Sequence, residues 1–180
     1  MARHPFTLGF TAVLLGTAAG CAAPRVDAPA GDVPLMTLAA QGVQLYECRA
    51  AAGAAPAWAF VAPEADLFDA GGRRVGRHGA GPTWTHGDGS GFTGAVRTRA
   101  DAPRADAIPW LLLAATPKGP EGTFSGVSSV QRIHTVGGLP PADGCAAATL
   151  GSRVGMAYRA DYVLFVPAGS PARAARAAVP

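Results

Sequence analysis

Glycine and proline interrupt this chain too often for long helices. It holds 24 Gly and 16 Pro in 180 residues, and between positions 34 and 167 no helical hydrophobic period runs past about ten residues. A core must therefore come from extended runs joined by turns. Val43 to Cys48 partly alternates and fits a strand. Ala57 to Val61 fits a second, ending at Pro63. Leu67-Phe68-Asp69 enters the turn Ala70-Gly71-Gly72 and Arg74-Val75-Gly76 leaves it, which predicts a hairpin. Pro82 to Thr85 and Phe92 to Thr98 flank the turn Gly87 to Ser90 and predict another. Ile108 to Ala115 is apolar on both sides and reads as a strand buried on two faces, with a short helix entered at Pro109 as the rival. Phe124 to Val136 is a longer segment, with a bulge expected near Gly126, Ser128 and Ser129. Met156 to Val166 alternates most cleanly and puts Tyr158, Ala160, Tyr162, Leu164 and Val166 on one face. Residues 33–42, with Leu35, Met36 and Leu38, read as a helical turn or more. The expected fold is all-β: a single sandwich or closed barrel of about eight short, mainly antiparallel strands.

Composition excludes other classes. Only 15% of residues are charged, too few for a coiled coil, and 49% are hydrophobic, too many for a disordered chain. Basic residues are almost all Arg, with Lys118 the one Lys, and no run of like charges or aromatic–basic interleaving suggests nucleic-acid binding.

The first twenty residues read as an export signal. Arg3 and His4 precede an apolar stretch from Phe6 to Leu15, followed by small residues to Gly20. The apolar stretch is too short to span a bilayer of about 30 Å. Cys21 follows Thr17-Ala18-Ala19-Gly20 and fits the lipidated Cys of a bacterial lipoprotein, with plain cleavage near Ala18 or Ala19 as the alternative. The expected layout is a signal peptide at 1–20, a tether at 21–33, a β domain at 34–167 and a disordered tail at 168–180. The chain would be exported, as a periplasmic or cell-envelope lipoprotein or else secreted, meeting a membrane only through a lipid anchor at Cys21.

With Cys21 lipidated, Cys48 and Cys145 remain to make one bridge. An oxidising exterior permits it. The bridge would close a loop of about 97 residues, worth roughly 4–5 kcal/mol of chain entropy. Neither Cys has the C-x-x-C setting of a redox pair.

Several linked motifs carry a family likeness. They are Gly42-Val43-Gln44-Leu45-Tyr46-Glu47-Cys48, Gly76-Arg77-His78-Gly79-Ala80-Gly81-Pro82-Thr83-Trp84, Asp88-Gly89-Ser90, Ile108-Pro109-Trp110-Leu111-Leu112-Leu113 and Val130-Gln131-Arg132-Ile133-His134-Thr135-Val136-Gly137-Gly138. Gly144-Cys145 and Tyr158-Arg159-Ala160-Asp161-Tyr162 follow. In this order the chain resembles a family of secreted bacterial and fungal proteins classed only as a domain of unknown function. The resemblance implies export and a mostly β domain, and no settled activity. Some fungal relatives carry dehydrogenase-like labels, but this chain has no G-x-G-x-x-G after a strand and no βαβ spacing. At the place where relatives often have Asn or Asp, this chain has His134.

The segment from His78 to Ser90 concentrates the candidate ligand-binding residues: His78, Trp84, Asp88 and Ser90. His78, His86 and Asp88 could offer ligands to a metal, though their spacing matches no standard site. No cofactor and no metal is assigned. Ser90 lies in a tight-turn sequence, outside any G-x-S-x-G elbow. Trp58 and Trp110 read as core, and Trp84 as the ring best placed for a ligand. Arg132, in an apolar run, calls for a partner such as Glu47 or Asp161, or else meets an anionic ligand. The function read from these residues is a binding module for a small molecule or an envelope polymer. The alternative is an extracytoplasmic hydrolase or metal-dependent enzyme using His78, His86 and Asp88.

Overall fold

A computed structural model describes residues 25–171. The signal peptide, Cys21 and residues 172–180 of the tail lie outside the described residues. The elements are β1 (Asp32–Ala51), β2 (Ala54–Phe68), β3 (Arg74–Gly79), β4 (Thr83–His86), β5 (Gly91–Ala100), β6 (Trp110–Lys118), β7 (Ser129–Gly137), a 3-10 turn (Ala147–Thr149) and β8 (Arg153–Pro167). Each strand pairs antiparallel with the next, and β8 returns to pair with β1, so the sheet is a closed barrel. The closing ladder runs from Asp32 opposite Pro167 to Glu47 opposite Arg153.

The alternation of β8 is the clearest sequence signal, and it holds. Tyr158, Ala160, Tyr162, Leu164 and Val166 are all buried. From β1, Leu38, Ala40, Gln44, Tyr46 and Cys48 share the inward register. Glycine makes room for the largest ring: a Cβ on Gly94 would stand 2.8 Å from Trp84 Cζ3.

Four local expectations are corrected. Residues 33–42 belong to β1, because the ladder to β8 fixes them as strand whatever their local preference. The runs 57–61 and 67–69 are one strand of 15 residues, β2, which continues through Pro63. Pro63 is tolerated beside a bulge, where the ladder skips from Ala62 to Phe60 opposite Leu45 and Tyr46. The bulge of β7 lies between Ile133 and Val136, not near Gly126, and His134 takes φ 50° there. Finally, β1, β2 and β8 are long strands rather than short ones.

Residues 25–31 precede β1, yet Val26 is buried and its carbonyl accepts a hydrogen bond from Gln131 Nε2. Cys48 and Cys145 form a disulfide with Cα atoms 5.3 Å apart. It ties the end of β1 to the β7–β8 connection. No helix among the described residues is long and apolar enough to cross a membrane.

Candidate functional site

The two ends of the barrel differ. At one end the β6–β7 connection folds over the opening and buries Phe124 and Val127 in the core. Asp88 and Ser90 hold this plug. Asp88 Oδ1 accepts from Ser90 N at 2.9 Å and Ser90 Oγ at 2.5 Å, and Oδ2 accepts from Thr123 N at 2.9 Å and Thr123 Oγ1 at 2.8 Å. Ser90 Oγ accepts in turn from Phe124 N at 3.0 Å. Desolvation pushes the Asp88 carboxyl up, but the hydrogen bonds from Ser90 and Thr123 outweigh it and hold the group well below the ordinary carboxylate range. Asp88 and Ser90 therefore latch the plug and line neither of the cavities described next. Replacing Asp88 by Ala removes charge-assisted bonds and strands their donors. The expected loss is about 2–4 kcal/mol by urea denaturation.

The other end is open, because the hairpin of β3 and β4 is short. It pairs only with Ala65–Phe68 of β2 and Gly91–Thr93 of β5. Beyond it, the earlier part of β2 and the later part of β5 face each other with no strand between. A cavity of about 130 Å³ opens there, lined by Phe60 and Pro63 from β2, Pro82 and Trp84 from the hairpin, Val96 from β5, and Leu111 and Leu113 from β6. Its polar lining is Gln44, His78, Arg132 and Tyr162. An outer cleft of about 370 Å³ adjoins it and adds Tyr46, Arg99, Ile108, Pro109 and Leu139. Phe60 packs edge-on to the buried ring of Tyr46 but is 52% exposed, and Val96 is 59% exposed. Apolar side chains that line the interior yet meet solvent mark the mouth. A larger depression of about 540 Å³ lies across β1, β2 and β3, but Asp66 there is already paired with Arg74 at 2.7 Å.

Rings stack at the inner wall. The Trp84 ring lies between His78, at 4.0 Å and 16°, and Phe92, at 5.0 Å and 14°, with Tyr162 edge-on at 5.4 Å. Burial, aided by the positive charge of Arg132 and opposed by the Thr83 carbonyl, lowers His78 to about 3. His78 is thus neutral, and its Nδ1–H donates to Thr83 O at 2.8 Å. Burial and then the neighbouring Tyr162 raise the Tyr158 hydroxyl; Arg132 and Gln44 pull the other way. Gln44 Nε2 nevertheless makes no well-formed hydrogen bond, and neither does Trp84 Nε1.

Of the residues singled out in the sequence, the structure brings His78 and Trp84 together at the mouth and puts Asp88 and Ser90 at the plug. His86 sits with Asp88, Nδ1 to Oδ2 at 3.0 Å, at the far end of β4 from His78. Among the described residues no group of three or more His, Cys, Asp and Glu could hold a metal. Two further expectations are corrected. Trp84, not Trp58 or Trp110, is the fully buried tryptophan. Trp58 donates to Asp143 O at the rim, and Trp110 packs edge-on to His134. Arg132 pairs with neither Glu47, held by Arg49 and Arg153, nor Asp161, held by His134. Its Nε and Nη2 donate to Pro109 O instead. Gln44, Phe60 and Val96 also line the site, though no motif in the sequence singles them out. A Gln in the inward register of β1 was the one available signal.

A family model described as "Protein of unknown function (DUF3455)" matches residues 29–166. The chain belongs to this family. The DUF3455 match runs from just before β1 to Val166 of β8, so plug and mouth both fall within it. No curated protein matches the chain.

Proposed function

We propose that this protein is an exported, lipid-anchored binding module whose barrel mouth holds one small, largely apolar molecule. The observation that carries this reading is an apolar cavity at the open end of the barrel, with Phe60 and Val96 at its mouth 52% and 59% exposed. The exposed Phe60 and Val96 supply the apolar rim, as small-molecule sites require. The Cys48–Cys145 disulfide supports an oxidising compartment, and the signal and Cys21 read from the sequence support export and anchoring.

Titration calorimetry with 2-naphthamide, a neutral probe with a carbonyl acceptor, tests the reading. Saturable one-to-one binding is expected. The double variant Phe60→Ser, Val96→Ser, with an unchanged circular dichroism spectrum, should weaken it about tenfold through lost apolar contact. Binding indifferent to both substitutions would place the probe elsewhere and reject the mouth.

A further inference from the structure

The charge at the mouth selects among ligands. Arg132 and Arg99 line the outer cleft, and among the described residues no Asp or Glu lines either cavity. Arg132 is half-buried, and no carboxylate among the described residues reaches it. Pro109 O takes its Nε–H and one Nη2–H, and the Tyr162 hydroxyl takes a further side-chain hydrogen bond; both partners are neutral, so the positive charge has no counter-ion among the described residues. That charge is felt around the chamber, where it lowers His78 and opposes the upward push of burial on Tyr46, Tyr158 and Tyr162. A partly buried guanidinium without a counter-ion is costly, and an anion that arrives with its own apolar body relieves the cost. The charge at this cavity therefore asks for a negative group on the ligand.

Size narrows the class. Arg132 lines both the inner cavity and the outer cleft, so a carboxylate on it stands where the two meet. The inner cavity, about 130 Å³, is close to the roughly 150 Å³ known to accept a benzene ring. Its walls are Trp84, Leu113, Pro63 and Pro82, which suit a flat compact body better than a long chain.

We propose that the ligand is a compact aromatic carboxylate, its acid group on Arg132 with Arg99 at the rim and its ring against Trp84 and Leu113. This rests on the binding function proposed above and adds the charge and shape of what is bound.

Titration calorimetry of the full chain with 2-naphthoate, 2-naphthamide and decanoate separates the outcomes. The acid is expected to bind at least about tenfold tighter than the amide, and to weaken with added salt while the amide does not. R132Q should abolish the preference by weakening the acid alone. R99Q, at an exposed position, should reduce it about two- to threefold without risk to the fold. If R132Q does not fold, the salt response and R99Q still decide the matter. Equal binding of acid and amide, with no salt effect, overturns this inference while the mouth remains a binding site. Decanoate binding more tightly than 2-naphthoate overturns the compact aromatic class. Failure of all three probes rejects both this inference and the function on which it rests.

Discussion

Replacing Cys48 and Cys145 together by Ser is expected to lower stability by about 4 kcal/mol and the melting temperature by roughly 10–15 °C. The disulfide spans a sequence separation of 97 residues, so most of its effect is on the unfolded chain. The native contacts around it do not depend on it. Cys48 N still donates to Ser152 O, and Gly151 N to Cys48 O, so the β1–β8 ladder has its own bonds there. The double variant should therefore keep the native circular dichroism spectrum while its urea midpoint falls. A loss under about 1 kcal/mol would show that the unfolded state is already restricted without the link.

His78 is expected to make the barrel acid-sensitive well above the range where carboxylates titrate. Burial holds its folded-state value at about 3, while an unfolded chain takes up the proton near pH 6.5. The stability linked to His78 is therefore complete above pH 6.5 and is lost as the pH falls from there toward 3. The slope is about 1.4 kcal/mol per pH unit. Roughly 2 kcal/mol should disappear between pH 7.5 and 5, and on the order of 4 kcal/mol by pH 3.5. The lowered carboxyls of Asp88, Glu47 and Asp69 act in the same sense, but only below the unfolded carboxylate range of about 4. His78→Phe keeps a ring against Trp84 and removes the proton, so its urea midpoints should be level between pH 7.5 and 5. An unchanged slope in that variant, or a His78 ring proton that titrates near 6.5 by NMR, contradicts the buried neutral imidazole.

The class of the fold was legible because its signals are local. The Asp69 turn, whose Oδ1 accepts from Gly71 N and Arg73 N, is a hairpin signature that can be read in five residues. The inward face of β8 follows from alternation alone. Closure was not legible, because it depends on pairing Asp32 with Pro167 across nearly the whole domain. The same ladder converts residues 33–42 to strand against a pattern that suits a helical turn equally well. Pro63 looked like a strand end because the bulge beside it is a property of the pairing with β1 and not of the local sequence. At the site, the motif from His78 to Ser90 split along β4: its first part faces the mouth and its last part latches the plug. Sequence spacing could not separate these roles, since a short strand carries neighbouring motifs to opposite ends of a barrel. Arg132, in an apolar run, calls for a partner or an anion on sequence grounds alone. Only the geometry shows that Glu47 and Asp161 are already taken.

The indole N–H resonances test the central claim most directly. The three tryptophans have distinct settings: Trp58 Nε1 is bonded to Asp143 O, Trp110 lies beside His134, and Trp84 alone lines the mouth. A two-dimensional proton–nitrogen spectrum, assigned with Trp58→Phe and Trp110→Phe variants, would follow all three during titration with 2-naphthoate. Binding at the mouth should move the Trp84 indole peak and leave the other two in place. A Trp84 peak that stays fixed at saturation, while Trp58 or Trp110 shifts, would show that the open end of the barrel is not where this protein holds its ligand.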